Sequence, residues 1–437
     1  MAFLLACMMV LSLFACNTSN NTETSTSVTV SKTEEVPAEQ ETAKTGVEAV
    51  DTVASDGVDY NHMTMDELYE LAIAEGGTIE VYSNTVDANT AVKKFLKAYP
   101  DLKAEYIALE TSIVANRLET EYETNNIFGD VVLANDDSGE IYNQLVLYDI
   151  LDIYYPASVV SHMDEDSIKY GLPLYASFCP WYYNTEMYPD GCPIQSWWDL
   201  VEGYNEDTCS FTDASGNKTQ KWTIYTKEIT SPQFAPLFAQ MMIDSDLMAE
   251  TYKELYGKDL VITYNEKLNN TEGVMELPED NAGVEFFWRF SQLLSTQLAD
   301  GDAVVSAVDE SINGPTLGLC SSGKLDGAEH SEYVTGLKPY TAINSGGRLY
   351  VVHGCDNPAG SRLFILFALG GDDGQSGCYQ SFDKMGRWSM RDDVVYQKSH
   401  AEKEKVGLVT PATDKLYEMY PNVKAYWTYW HSMAPQT

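Results

Sequence analysis

Between Thr64 and Asn135 the hydrophobic spacing switches repeatedly between the helical and the strand period, and this alternation constrains the fold more than any other feature of the chain. Thr64-Met65-Asp66-Glu67 reads as a capping box. Leu68, Leu71 and Ala72 form the apolar face of the helix it opens, and Gly76-Gly77 stops it. Thr78 to Ser83 (TIEVYS) is rich in β-formers. A turn at Asn84-Thr85 leads to a second helix with Ala88, Val92, Phe95 and Tyr99 on one face and Pro100 behind it. Leu102 to Leu109 alternates as a strand, Thr111-Ser112 caps a third helix running through Tyr122, and Gly129 to Asn135 (GDVVLAN) reads as a short buried strand. Strands separated by helices of this length need crossover connections, which implies βαβ units, a parallel sheet and an α/β fold.

Open α/β sheets bind ligands outside the carboxyl ends of their strands, where helix N-termini also point. Three loops occupy such positions: Ser83-Asn84-Thr85, Thr111-Ser112 and Asn135-Asp136. Each taken alone is an ordinary helix cap. As a set, rich in hydroxyls, amides and free backbone N–H groups, they are expected to form a polar cleft rim.

A chain of 437 residues, 44% of them hydrophobic, is expected to divide into two domains or lobes. Its net charge of −39 repels nucleic acid and anionic membrane surfaces, so neither is an expected partner. The sequence carries no Gly-x-Ser-x-Gly elbow, no His-Glu-x-x-His, no P-loop and no Gly-x-Gly-x-x-Gly fingerprint, so neither an enzyme nor a bound cofactor is expected. Six cysteines follow Cys7 and Cys16: Cys179, Cys192, Cys209, Cys320, Cys355 and Cys378. None has the spacing of a zinc site, and no metal is expected. Their pairing is left open.

Residues 1–15 (MAFLLACMMVLSLFA) form one apolar run with the length of a secretory signal, too short for a permanent membrane span. Leu13-Phe14-Ala15-Cys16 resembles the lipobox of bacterial lipoproteins, which implies lipidation at Cys16. Residues 17–60 are Thr, Ser, Glu, Val and Ala with almost no aromatics, so they are expected to be a disordered tether. An exported protein held on the outer face of the cell membrane by a lipid is the expectation.

From Glu67 onward the order of features resembles the periplasmic-type solute-binding proteins that include the ferric-ion binders and their organic-ligand relatives. The matching stretches are LYELAIAEGGTIEVYSN, AVKKFLKAYPDLKAEYIAL, TSIVANRLETEYETNNIFGDVVLAN, YGLPLYASFCPWYYNTEMYPDGCPIQSWWDL, GGRLYVVHGCDNPAGSRLFILFALGGDDGQ and GRWSMRDDV. The resemblance implies a two-lobed, type II binding-protein fold, each lobe a mostly parallel sheet flanked by helices and joined by crossing strands. Lobe 1 would comprise 61–175 plus about 340–372, and lobe 2 would comprise 176–339 plus about 373–437. It further implies a monomer that takes a small solute into an interlobe cleft and delivers it to the permease and ATPase subunits of an ABC importer. A sensor accessory to a membrane kinase would share the fold and site. In lobe 2, a helix carrying Val284, Phe287, Trp288, Ser291, Leu294 and Leu298 is expected to pack the core.

Ferric binders of this kind are expected to use tyrosine phenolates, a carboxylate and often a histidine, oxygen-rich sets suited to hard Fe(III). Here the first-strand loop carries no histidine, and Ser321-Ser322-Gly323-Lys324-Leu325 stands where a tyrosine pair is expected. Tyr182-Tyr183 is read as packing, as are Trp197 and Trp198. Iron is therefore the alternative to a sugar, sugar phosphate, polyamine or other organic or oxyanion solute. Trp181 is the aromatic candidate for the cleft. Lys324, Arg348 and, less favourably placed, Arg117 are candidates for an anionic group, with Ser231 and Ser322 as further donors.

Overall fold

The computed structural model describes residues 57–264, 277–293, 295–398, 400 and 402–433. The expected signal, the lipidation site Cys16 and nearly all of the tether lie outside the described residues. No helix of the described residues is long and apolar enough to cross a membrane.

The first helix, α1 (Met65–Glu75), starts on the capping box expected of it. Glu67 N–H donates to Thr64 Oγ1, while the Glu67 carboxylate accepts from Thr64 N–H at 2.8 Å. Gly76 closes the helix at φ 71°, a left-handed conformation natural to glycine. Leu68 and Ala72 are buried, but Leu71 stays 39% exposed, because only one side of α1 meets the helix Pro358–Ala368.

Strand β1 (Thr78–Ser83) is followed by α2 (Val86–Ala98), β2 (Lys103–Ala108), α3 (Thr111–Glu123) and β3 (Val131–Asn135). β1 lies between β2 and β3 and is parallel to both. The next strand in the sheet, Gly347–Val352, arrives from much later in the chain and runs antiparallel to β3. Leu151–Asp152 and Leu172–Pro173 complete the six strands. The helix Pro358–Ala368 is buried from Ala359 onward. Asn357, at the cap position, makes no side-chain capping bond. Its side-chain amide instead donates to Asp130 Oδ1 (3.1 Å) and Thr78 O (3.2 Å). The Glu75 carboxylate takes over the helix end, accepting from Ala359 and Gly360 N–H at 2.8 and 3.0 Å.

The second sheet has five strands in the order Ser331–Tyr333, Trp181–Asn184, Thr316–Leu319, Thr223–Thr226 and Ser295–Gln297. The last three run parallel. The helix expected to reach Leu298 is shorter, Ala282–Ser291. Ser291 Oγ turns back to Trp288 O (2.7 Å), and Ser295–Gln297 leaves the helix to extend the sheet, carrying Leu298 beyond it. Trp181, Trp197 and Trp198 are fully buried, with Trp197 and Trp198 set edge-on to Phe286 at 6.0 and 5.3 Å. Glu285 and Arg289 form an ion pair of 2.7 Å one helical turn apart, with side-chain exposures of 0% and 4%. Thr263 and Tyr264 also donate to the Glu285 carboxylate. The C-terminal helix Thr413–Met433 lies on the helix Ala235–Ile243 and buries Val423, Tyr426 and Trp430.

Two hydrophobic cores result, one under each sheet. Cys378, Tyr379, Phe382 and Val394 belong to the first core, whereas Trp388 and everything buried from Val406 onward belong to the second. The segment past residue 373, expected wholly in lobe 2, therefore serves both. The lobes meet at crossing segments: Tyr175–Ala176 pairs with Trp388–Ser389, and Ser177 and Ser345 exchange backbone hydrogen bonds of 2.5 and 2.8 Å. All six described cysteines are free thiols, buried except for the half-buried Cys192. Burial pushes the Cys179, Cys355 and Cys378 thiols up to about 12 and Cys192 up to about 11.

Candidate functional site

A cavity of about 500 Å³ opens between the two cores, at the carboxyl ends of β1, β2 and β3. Lobe 1 contributes Asn84, Thr85, Thr111, Ser112 and Asn135, the loops expected at a cleft rim. Thr111 is the first residue of α3 and not its cap. Its hydroxyl ties the loops together, donating to Asn135 O (3.3 Å) and accepting from Asn84 Nδ2 (3.4 Å). From lobe 2, Ser231 and Lys324 face the same space.

Five of the expected residues are elsewhere. Ser83 is buried and accepts from Thr85 N–H (3.2 Å), bracing the loop from beneath. Asp136 is turned back to the amides of Ile141 (2.8 Å) and Tyr142 (2.9 Å). Trp181 lies in the second core against Trp197 and Phe290, because all four residues of its strand are buried. Ser322 is fully buried and donates to Gly386 O at 2.6 Å. Arg348 lines a different cavity and donates to the carbonyls of Ser167 (3.0 Å) and Gly171 (3.1 Å). Arg117 also stays off the cleft, with its guanidinium 4.5 Å from the Tyr82 ring centroid.

The strongest charges in the cleft come from residues that spacing does not single out. Asp87, in the first turn of α2, receives Arg387 Nη1 at 2.7 Å and Lys384 Nζ at 2.9 Å. Burial alone would raise the Asp87 pKa, but these two cations outweigh it and hold the carboxyl below its ordinary value. The Arg387 guanidinium sits 4.6 Å from the Tyr175 ring centroid, and its Nε is buried without a hydrogen-bond partner. Ser231 Oγ, on the opposite lobe, is buried and unpartnered as well. Lys227 Nζ is held by Gln233 Oε1 at 3.1 Å, whereas Lys324 spends its charge on Asp302 at the surface (2.6 Å). Four basic side chains (Lys227, Lys324, Lys384, Arg387) thus line the cavity against three carboxylates (Asp87, Glu110, Asp137). With Lys324 engaged by Asp302, the lining is close to neutral, a local departure from a chain of net charge −39.

Asp137 lies on the cavity floor and accepts from Ser345 Oγ at 2.7 Å. Burial, reinforced by the neighbouring Asp136, pushes its pKa up to about 7. An unfolded aspartate titrates near 3.9, so the native state takes up a proton between these values. The stability this contributes is fully present at acid pH and is lost as pH rises through about 7. Asp137→Asn should therefore flatten the fall in melting temperature between about pH 4 and 7, and should raise the melting temperature above about pH 7. Parallel melting curves for the two proteins would refute this.

Within the lining, Tyr175 is the sole phenol and there is no histidine, so the tyrosine-pair set for Fe(III) is not assembled. Outside the cleft, His162 approaches Asp392 (2.8 Å) and Asp393 (3.7 Å). Arg391 already holds Asp393 at 2.7 Å, and this trio is a surface ion-pair cluster.

No protein-family model matches the chain, and no curated protein matches it. Solved structures do. Apo ferric ion-binding protein A from Pasteurella haemolytica aligns with a TM-score of 0.55 at 13% identity, covering 82% of this chain and 99% of that one. Iron-bound HitA from Pseudomonas aeruginosa aligns at 0.54 and 13%, over 81% and 99%. The periplasmic binding protein AfuA from Actinobacillus pleuropneumoniae, with exogenous fructose-6-phosphate bound, aligns at 0.53 and 15%, over 82% and 99%. At such identities the likeness speaks for architecture: this chain has the two-lobed, type II fold of the periplasmic binding proteins.

Proposed function

We propose that this protein is an extracytoplasmic receptor that takes a small anionic organic solute, a sugar phosphate foremost, into the interlobe cleft and passes it to an ABC importer. The tether and a lipid on Cys16 would hold it at the membrane. The observation that carries the reading is the pair Arg387 and Lys384, presented to the cavity by a segment that crosses between the lobes. Arg387 Nε and, across the gap, Ser231 Oγ are buried polar atoms that lack partners until a ligand supplies an acceptor. The hydroxyls and amides of Asn84, Thr85, Thr111, Ser112 and Asn135 suit the neutral, polyhydroxylated part of such a solute. The fold is shared with AfuA, which is described with fructose-6-phosphate, and with ferric-ion binders.

Isothermal titration and thermal melting with glucose 6-phosphate, fructose 6-phosphate, glucose, spermidine and Fe(III) test this. A phosphorylated sugar at about 100 times its Kd should stabilise the fold by about 2.7 kcal/mol. Glucose and spermidine should leave it unmoved. Binding of Fe(III) alone, or equal binding of glucose and its phosphate, would sink the anionic reading.

A further inference from the structure

The back of the hinge holds a second cavity, of about 190 Å³, whose walls come from both lobes. Lobe 1 supplies Arg348, from the strand Gly347–Val352, and lobe 2 supplies Lys403 and Met390. Arg348 Nη1 is fixed by the carbonyls of Ser167 and Gly171, so the guanidinium is held in place without losing its charge to a carboxylate. Lys403 is half-buried, and its Nζ meets only the thioether of Met390, at 3.8 Å. Among the described residues neither cation enters an ion pair. Two cations line the cavity against one carboxylate, Asp164, and Glu404, outside the lining, also acts on the Lys403 ammonium. Asp136 and Asp137 also feel Arg348, but burial pushes both toward their neutral forms. Asn344 Oδ1 lies in the same wall, buried and without a donor.

A half-buried ammonium whose only hydrogen-bond contact is sulfur, with the Glu404 and Asp164 carboxylates acting on it from beyond ion-pair distance, gains when an acceptor returns its hydrogen bonds. A cavity of this size has room for several waters at about 30 Å³ each, or for one small oxyanion in their place. We infer that the back of the hinge is a binding site for a small oxyanion that also carries a hydrogen-bond donor, hydrogen phosphate being the simplest. Arg348 and Lys403 take its charge from either lobe, and its hydroxyl donates to Asn344 Oδ1. Because the two cations belong to different cores, an anion between them fixes the lobes relative to one another. The site is separate from the cleft and does not depend on what the cleft takes.

Inorganic phosphate also suits the cleft, so the titration uses full-length protein carrying Arg387→Gln, which removes the cleft guanidinium, and position 403 then decides which site the remaining binding belongs to. In that background phosphate should still bind at one site, and sulfate, which has no donor at neutral pH, should bind at least tenfold more weakly. Adding Lys403→Met should abolish phosphate binding, and adding Asn344→Ala should erase the preference over sulfate. Lys403→Met replaces a partnerless ammonium with a side chain of similar length, so its phosphate-free melting temperature should hold or rise, which certifies folding. If that variant fails to fold, Lys403→Gln serves in its place. Absence of phosphate binding in the Arg387→Gln protein, or binding indifferent to position 403, overturns the proposal. Either result leaves the cleft reading standing, since that reading is measured on sugar phosphates with Arg387 intact.

Discussion

Arg387→Ala should weaken binding of a phosphorylated sugar by about two to three orders of magnitude, the consequence of losing a buried charged donor worth about 2–5 kcal/mol. Arg387 does two things in the cleft. Its Nη1 bonds the Asp87 carboxylate at 2.7 Å, and its Nε waits, buried and unpartnered, beside the cavity. Truncation removes the donor and leaves Asp87 balanced by Lys384 alone, so the local potential turns toward the negative. Arg387→Lys should restore only part of the affinity, because an ammonium keeps the charge without the planar fork or the stacking on Tyr175. Titration calorimetry checks the series. Melting of the unliganded variants separates lost binding from lost fold. An Arg387→Ala protein that melts normally and binds normally would remove the cleft cations from the mechanism.

Arg289→Met is expected to destabilise the protein by about 3–5 kcal/mol, since it strands a carboxylate in the second core. Glu285 is fully buried, and among the described residues Arg289 Nε is its only cationic partner at hydrogen-bond distance; Thr263 and Tyr264 remain as neutral donors. Replacing both members, as Glu285→Gln with Arg289→Met, should recover most of that loss, because the neutral amide leaves no buried charge and can still bond Thr263 and Tyr264. Chemical denaturation of the single and double variants measures this. A single variant within about 1 kcal/mol of the parent would mean that the Thr263 and Tyr264 bonds suffice for Glu285.

Lobe 1 was legible because its elements are consecutive. The capping box at Thr64, the glycine stop at Gly76 and the alternation through Asn135 are local signals, and the parallel order of β1, β2 and β3 follows from them. The rim loops were legible for the same reason, as strand ends in an α/β sheet. The charged half of the cleft was not. Asp87 looks like any acidic residue in a first helical turn, and its meaning appears only when Lys384 and Arg387 arrive from about 300 residues away. Asp136 and Asp137 are neighbours with opposite fates, one turned to the amides of Ile141 and Tyr142 and the other to Ser345 and the cavity. Nothing in their spacing separates them. Trp181 and Ser322 were misplaced because aromatic and hydroxyl side chains suit a cleft or a core equally, and their burial follows from strand pairing rather than composition.

The buried thiols make the folded body easy to instrument. A thiol held near 12 is thiolate in only about one molecule in a hundred thousand at neutral pH, and a thiolate is what maleimides and iodoacetamides attack. Val86 borders the cleft and is 73% exposed, so a cysteine placed there would outpace the buried native thiols once the half-buried Cys192 is replaced by serine. A fluorophore carried at that single position would report the opening and closing of the lobes as a change in emission, with the five buried cysteines of the body left in place.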